Sequence, residues 1–172
     1  MRCSLGHLSS LLGVLFLKNQ PYFVTINDSY FLEHSNLVEV LRKDSRLYLG
    51  VIIEVNNHQC FVPLRSEIKT APKYRKAGYL LPSLARKNAG LDFRKLLLIS
   101  NPTHITIQNE VKIPAIQKNK IYTDFDKISD RLNRYIKNYI KEVSRNRGDE
   151  NYLYKFSTLK NYHEELGLKS TN

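Results

Sequence analysis

Two apolar, β-branched stretches separated by a polar turn form the most regular part of the sequence. Residues 48–55 make the first stretch, which is broken only by Gly50, and residues 59–64 make the second. Residues 56–58, Asn-Asn-His, supply side chains that tolerate the left-handed backbone of a tight turn. The pattern predicts a β-hairpin, and because both strands are almost entirely apolar we expect it in the middle of a sheet.

Cationic and hydroxyl side chains follow the second strand directly. Pro63 has no N–H to donate and is expected to end the pairing of that strand. Arg65 and Ser66 come next, with Arg46 and Lys69 near them in sequence. A polar segment carried on the end of a rigid strand is a candidate functional site. The alternative is that Arg65 and Ser66 only cap the strand.

The flanking segments predict further short elements of the same domain. Strand composition occurs at residues 21–26, 96–99 and 105–107. A short helix is expected at residues 29–34. Sheet and helices are therefore expected to share one core.

The last third of the chain changes to a helical period. From Asp124 onward apolar residues recur every three or four positions, which predicts an amphipathic helix of about five turns that ends at Gly148. Ser157 is a suitable N-cap for a last short helix. The outer face of the long helix carries Lys127, Arg131, Arg134, Lys137, Lys141 and Arg145.

The charge balance of the 172 residues favours a polyanionic partner. There are 27 Lys and Arg against 16 Asp and Glu, a formal charge of +11, and the isoelectric point is about 9.6. Such an excess makes a compact chain repel itself and is typical of proteins that bind nucleic acid. An anionic membrane surface and a basic surface without a specific partner are the alternatives.

Residues 1–18 are expected to be an extension outside the fold, which leaves a single domain over residues 19–172. The apolar part of the extension, residues 8–17, is shorter than the roughly 20 residues of a membrane-spanning helix. No small-residue cleavage site follows it. No membrane partner is expected. Cys3 and Cys60 form neither a disulfide framework nor a metal-ligand cluster, which favours a reducing cytoplasm.

Basic and aromatic side chains are interleaved in the irregular segment after the hairpin. Cations can follow the phosphates of a single-stranded nucleic acid while aromatic rings stack on its bases. The candidate RNA-binding residues of this segment and of the basic link before the hairpin are Arg42, Lys43, Lys69, Lys73, Tyr74, Arg75 and Lys76. The alternative is a solvated loop whose tyrosines cover the edge of the core.

Several common site signatures are missing from the sequence. It has no Gly-rich phosphate loop, no zinc-ligand spacing, no carboxylate cluster for magnesium and no Gly-x-Ser-x-Gly elbow, so we expect neither a metal nor a cofactor. RNA offers a metal-free reaction, because its own 2′-hydroxyl can attack the neighbouring phosphorus when the protein aligns it. Arg65 and Ser66 are chemically suited to stabilising phosphoryl charge and relaying a proton.

The hairpin followed by Pro-Leu-Arg-Ser, residues 63–66, resembles the central motif of the endoribonuclease toxins of type III toxin-antitoxin systems, the ToxN/AbiQ-like group. Residues 90–95, Gly-Leu-Asp-Phe-Arg-Lys, are most similar to its TenpN-like branch. The opening strand and helix at residues 22–31 and the closing helix at residues 157–167 also resemble this family. The resemblance spans about residues 20–168 in order.

The resemblance implies an α+β fold with a compact, highly curved antiparallel sheet, similar to the small-barrel toxins and flanked by helices. It implies metal-independent, sequence-selective RNA cleavage that leaves a 2′,3′-cyclic phosphate, in phage defence by abortive infection. Ser66 matches the family's catalytic serine, Arg65 stands where many members have threonine, and Arg46 stands where others have an active-site lysine. The family's later lysine falls nearer Ile68 than Lys69.

The implied partner is a small repeated RNA pseudoknot, the antitoxin, which binds the basic groove and assembles with the toxin into closed hetero-oligomers. Two other functions are kept as alternatives. A non-catalytic RNA-binding module would use the same groove. A DNA-binding regulator would place the helix at residues 126–143 in a major groove, although Tyr135 and Tyr139 on its apolar face argue that this helix belongs to the core.

Overall fold

The computed structural model describes residues 20–40, 49–68 and 72–168. The extension expected at residues 1–18 lies outside these ranges. The strands are β1 (Tyr22–Ile26), β2 (Leu49–Val55), β3 (His58–Arg65), β4 (Gly78–Leu80), β5 (Gly90–Asp92), β6 (Leu97–Ile99) and β7 (Ile105–Ile107). The α-helices are α1 (Asp28–Glu33), α2 (Ala115–Thr123) and α3 (Phe125–Val143), and short 3₁₀ helices occupy Pro72–Ala77, Phe93–Lys95, Pro102–His104 and Thr158–Tyr162.

The described strands form one antiparallel sheet in the order β4-β5-β3-β2-β1-β7, with β6 also paired to β3. One edge of β3 pairs with β2. Along its other edge, Gln59–Phe61 pair with β6, and Leu64 and Arg65 pair with β5. A strand that pairs with two different strands along one edge bends the sheet. The predicted α+β class with a compact, curved antiparallel sheet flanked by helices is confirmed. No ladder among the described strands joins β4 to β7, so the sheet is open.

The central hairpin is confirmed, with β2 and β3 joined by a two-residue turn. Asn56 and Asn57 have φ angles of 50° and 65°, the left-handed conformations that such a turn requires. A Cβ atom on Gly50 would lie 2.5 Å from the Phe61 ring, so this position needs glycine. The prediction that Pro63 ends the pairing is confirmed for the hairpin, because the ladder with β2 ends where Pro63 lies opposite Gly50. It is wrong for the strand as a whole, because Leu64 and Arg65 continue β3 by pairing with β5.

Both faces of the hairpin are covered, as its apolar composition predicts. Alternate residues of β2, such as Val51 and Ile53, pack in one cluster with α3, whereas Ile52 belongs to a second cluster with Tyr30 of α1. Cys60 is fully buried, and burial raises the pKa of its thiol to about 12. No helix within the described ranges combines the length and apolarity needed to cross a bilayer.

The long helix is confirmed, but its predicted end is wrong. α3 ends at Val143 and not at Gly148, because the chain turns at Asn146, whose φ angle is 56°. The sequence did not predict α2, which buries only Gln117 and Ile121 and therefore has no clear apolar stripe. Ser157 caps the last helical segment as predicted, since its Oγ accepts a hydrogen bond from the Leu159 N–H.

Candidate functional site

The end of β3 is tied to the end of β5 through an ion pair. Arg65 lies opposite Gly90 in the ladder, and its Nη1 donates a hydrogen bond to Oδ2 of Asp92 at 3.0 Å. Asp92 is completely buried, whereas the Arg65 side chain is 31% exposed. Part of the guanidinium is thus anchored in the core, and the rest reaches the surface.

A second arginine holds the same carboxylate. Arg94 donates from its backbone N–H and from Nε to Oδ1 of Asp92, each at 3.1 Å, and from Nη2 to Oδ2 at 3.2 Å. The Asp92 cluster, Arg65, Asp92 and Arg94, carries two positive charges against one negative charge. An anion that approaches the exposed part of Arg65 therefore meets a net positive group that is already held in position.

Ser66 is exposed where β3 leaves the sheet. The chain is held again two residues later, because the Ile68 N–H donates to the Asn88 carbonyl at 2.8 Å. Ile68 is buried and lines a surface cleft. Two residues span at most about 7 Å, so the Cα atom of Ser66 lies within about that distance of a residue that lines the cleft, although Ser66 itself does not line it.

Two clefts share a wall formed by Tyr79 and Arg131. The strand cleft, about 370 Å³, is lined by Ile68, Tyr74, Arg75, Gly78, Tyr79, Leu80 and Arg131. The α3 cleft, about 560 Å³, is lined by Lys76, Tyr79, Lys127, Arg131, Arg134, Tyr135, Asn138 and Tyr154. Together they form a continuous basic and aromatic surface beside the end of β3.

One stripe of α3 supplies most of the charge of the α3 cleft. Lys127, Arg131, Arg134 and Asn138 follow each other at steps of four, three and four residues, which places them on one side of the helix. Arg131 also fixes the helix to the opposite wall. Its Nη2 donates to the Arg75 carbonyl at 2.9 Å, and its guanidinium lies 5.6 Å from the centre of the Tyr79 ring.

Tyr79 and Tyr154 of the clefts are neutral at physiological pH. Burial raises the pKa of Tyr154 to about 12, and burial together with the hydrogen bond to Asp124 raises the pKa of Tyr79 to about 12. Asp124 accepts this bond and pairs with Lys120 at 2.6 Å, and these contacts hold its pKa at about 2. These two phenols therefore add no negative charge to the clefts.

The structure brings together only part of the candidate RNA-binding set. Tyr74 and Arg75 line the strand cleft, Lys76 lines the α3 cleft, and Lys73 belongs to the 3₁₀ helix by its backbone. Three members of the set, Arg42, Lys43 and Lys69, lie outside the described residues, and so does the candidate catalytic residue Arg46.

Sequence reasoning placed the α3 cations on a solvated outer face and did not connect them with the segment after the hairpin. Lys127, Arg131 and Arg134 in fact face that segment across the α3 cleft. The spacing of these cations shows in the sequence that they share one side of the helix. Nothing in the local sequence indicates which segment of the chain packs against that side. Asp92 was also missed as the anchor of Arg65, because residues 90–95 were recognised only as a family motif and a lone aspartate gives no local signal of its distant partner.

The fold is similar to that of a solved structure of a bacterial type III toxin-antitoxin system, which is described as selective toxin inhibition by a non-coding RNA pseudoknot. The two chains share 19% sequence identity with a TM-score of 0.50, over 67% of this chain and 77% of that chain. At this identity the similarity concerns the fold. No protein-family model and no curated protein matches the sequence at a significant level.

Proposed function

We propose that this protein is the toxin of a type III toxin-antitoxin system and cleaves RNA without a metal ion. The observation that carries the proposal is the position of Arg65, which is hydrogen-bonded to buried Asp92 directly before exposed Ser66, two residues from Ile68 of a basic cleft. The fold similarity supports the toxin role. The motif at residues 63–66 supports the assignment of Ser66 and Arg65 as catalytic residues, with Arg46 and Lys69 as further contributors of positive charge.

In the proposed reaction the 2′-oxygen attacks the adjacent phosphorus and the bond from phosphorus to the 5′-oxygen breaks. One proton leaves the 2′-hydroxyl, another reaches the departing 5′-oxygen, and the products carry a 2′,3′-cyclic phosphate and a 5′-hydroxyl. The exposed N–H groups of Arg65 donate to the phosphoryl oxygens, where charge builds up in the transition state. The Ser66 hydroxyl binds the scissile phosphate or relays a proton there.

The two clefts are the proposed path for single-stranded RNA. Cations of α3 and of the 3₁₀ helix Pro72–Ala77 follow the phosphates, with Arg134 and Lys76 lining the same cleft. The proposed antitoxin is an RNA pseudoknot that occupies the same basic surface, blocks Ser66 and assembles with the toxin into a closed complex. Release of the toxin during phage infection would then stop growth of the infected cell, which is abortive infection.

Induced expression in bacteria tests this function directly. The wild-type protein is expected to arrest growth and to create new 5′ ends at a defined sequence in total RNA. Ser66→Ala is expected to remove both effects while RNA binding is retained. Purified wild-type protein should cut RNA in the presence of a chelator, and the fragments should end in a 2′,3′-cyclic phosphate.

A matched variant separates catalysis from folding in this experiment. Ser83→Ala removes another hydroxyl, which accepts a hydrogen bond from the Arg86 N–H and lines neither cleft, and this variant should remain toxic. Equal, harmless expression of the wild type and Ser66→Ala, with intact RNA in the chelator assay, would overturn the proposal.

A non-catalytic RNA-binding module is the second candidate. It is favoured by the α3 cleft, whose cations bind phosphates without any need for Ser66. This function predicts RNA binding that falls steeply with salt and a silent Ser66→Ala substitution. The DNA-reading alternative is disfavoured, because Tyr135 and Tyr139 of α3 are each only 2% exposed and hold the helix in the core.

A further inference from the structure

Tyr152 presents an aromatic ring at the surface next to the strand cleft. The ring meets Tyr74 edge to face, with 5.8 Å between the ring centres and an interplanar angle of 88°. Tyr152 is nevertheless 46% exposed. A large ring that is held in place and still open to solvent is suited to contacting another planar group.

The partner ring is connected to the candidate catalytic end of β3. The guanidinium of Arg94 lies over the Tyr74 ring at 5.3 Å, and the same guanidinium is hydrogen-bonded to Asp92. Asp92 in turn holds Arg65, the residue before Ser66. Side chains in direct contact thus lead from Tyr152 to the strand end, which fixes the ring relative to the proposed site of cleavage.

The backbone that carries Tyr152 is also held in place. Asn151 donates its N–H to the Arg147 carbonyl at 3.1 Å, and its Oδ1 accepts the Leu153 N–H at 3.0 Å. Two residues later Tyr154 is buried and lines the α3 cleft. Tyr152 is therefore two residues from Tyr154, which lines the α3 cleft, and its ring contacts Tyr74, which lines the strand cleft.

We infer that Tyr152 is a base-stacking residue for single-stranded RNA bound in the two clefts. The inference rests on the proposed function and deepens it, because it names the residue that holds one unpaired base while cations hold the phosphates. Aromatic stacking suits such a substrate, since every base presents a flat face and an ordered ring loses little conformational entropy. Tyr74 is not assigned this role, because Arg94 already lies over its ring.

The absence of tryptophan from the sequence allows a direct optical test. Tyr152→Trp introduces a single tryptophan, whose fluorescence a stacked base quenches. The probe is a short single-stranded oligoribonucleotide with 2′-O-methyl groups, which cannot be cleaved through its own 2′-oxygen. Inorganic polyphosphate provides a polyanion without bases, and Tyr122→Trp provides a matched control at a residue that is 48% exposed and lines neither cleft.

Quenching of the Tyr152→Trp variant by the oligoribonucleotide and not by polyphosphate, with neither effect in Tyr122→Trp, is the expected result. Tyr152→Ala should bind the oligoribonucleotide roughly 5- to 150-fold more weakly, the range that corresponds to one lost stacked base, whereas Tyr152→Phe should bind like the wild type. Retained affinity in Tyr152→Ala, or equal quenching by polyphosphate, would overturn the inference.

The outcomes also separate this inference from the proposed function. Base-dependent quenching together with intact natural RNA would support stacking by Tyr152 and overturn the nuclease. Cleavage of natural RNA at an unchanged rate by Tyr152→Ala, without quenching in Tyr152→Trp, would overturn the inference alone. Failure of the wild type both to bind the oligoribonucleotide and to cleave natural RNA would overturn both.

Discussion

Arg65 and Asp92 are 27 positions apart in the sequence, yet Nη1 of the arginine lies 3.0 Å from a carboxylate oxygen of the aspartate. The contact exists because β5 pairs with the last residues of β3, which places the two chain segments side by side. Arg94 holds the other side of the same carboxylate. The conformation of the proposed catalytic strand end thus depends on one buried negative charge.

Removal of that charge should destabilise the fold. Asp92→Asn leaves two guanidinium groups without their counter-charge, and breaking a buried ion pair in this way costs about 3 to 5 kcal/mol. Urea denaturation should show this loss in the free energy of unfolding. The control is Asp149→Asn, since the Asp149 side chain is 88% exposed in its pair with Lys160 and its loss should cost less than about 1 kcal/mol. Equal effects of the two substitutions would contradict the structural role of Asp92.

The α3 cleft should contribute to RNA affinity through counterion release. Arg134→Gln removes one exposed charge of the cleft and should lower the slope of log Kd against log salt concentration by about 0.7 for single-stranded RNA. The measurement is fluorescence anisotropy of labelled RNA over a series of salt concentrations. Arg145→Gln, an exposed arginine that lines neither cleft, serves as the control. If both variants change the slope equally, RNA is attracted by total charge and not by the cleft.

Asp124 should make stability depend on pH in the acid range. Its pKa is lowered from 3.8 to about 2 in the folded protein, chiefly by the contact with Lys120 and the hydrogen bond from Tyr79. Because this pKa is lower in the folded than in the unfolded chain, ionised Asp124 stabilises the fold at pH values above its unfolded pKa. The stabilisation is lost as pH falls and should disappear between about pH 4 and pH 2. The melting temperature of Asp124→Asn should fall less steeply over this range than that of the wild type. Asp126→Asn, an exposed aspartate on the same helical turn, should follow the wild type.

Cys60 should be protected from thiol reagents in the folded protein. It is completely buried in β3, and burial raises the pKa of its thiol to about 12, so almost no thiolate is present at neutral pH. A Cys3→Ser variant leaves Cys60 as the single cysteine. Its labelling by iodoacetamide should be negligible in buffer and rapid in urea above the unfolding midpoint. Rapid labelling in buffer would show that the central hairpin opens readily.

Local sequence patterns predicted the elements that depend on local physical chemistry. The hairpin could be read from its apolar strands and from Asn56 and Asn57, because these residues adopt positive φ angles at low cost. α3 could be read from its three- and four-residue period. The ends of elements were less predictable, since Pro63 remains within β3 and α3 stops at Val143, well before Gly148. Those ends are decided by which neighbours are available for pairing and packing.

The sequence by itself determined the basic character of the surface, the central buried hairpin, the amphipathic helix and the placement of Arg65 and Ser66 at a strand end. Only the tertiary structure decided that Asp92 anchors Arg65, that Lys76 and Arg134 line the same cleft, and that Tyr152 contacts Tyr74. The reason is physical. Periodicity and turn chemistry act between residues a few positions apart, whereas these contacts join segments that meet only when the sheet and α3 pack together.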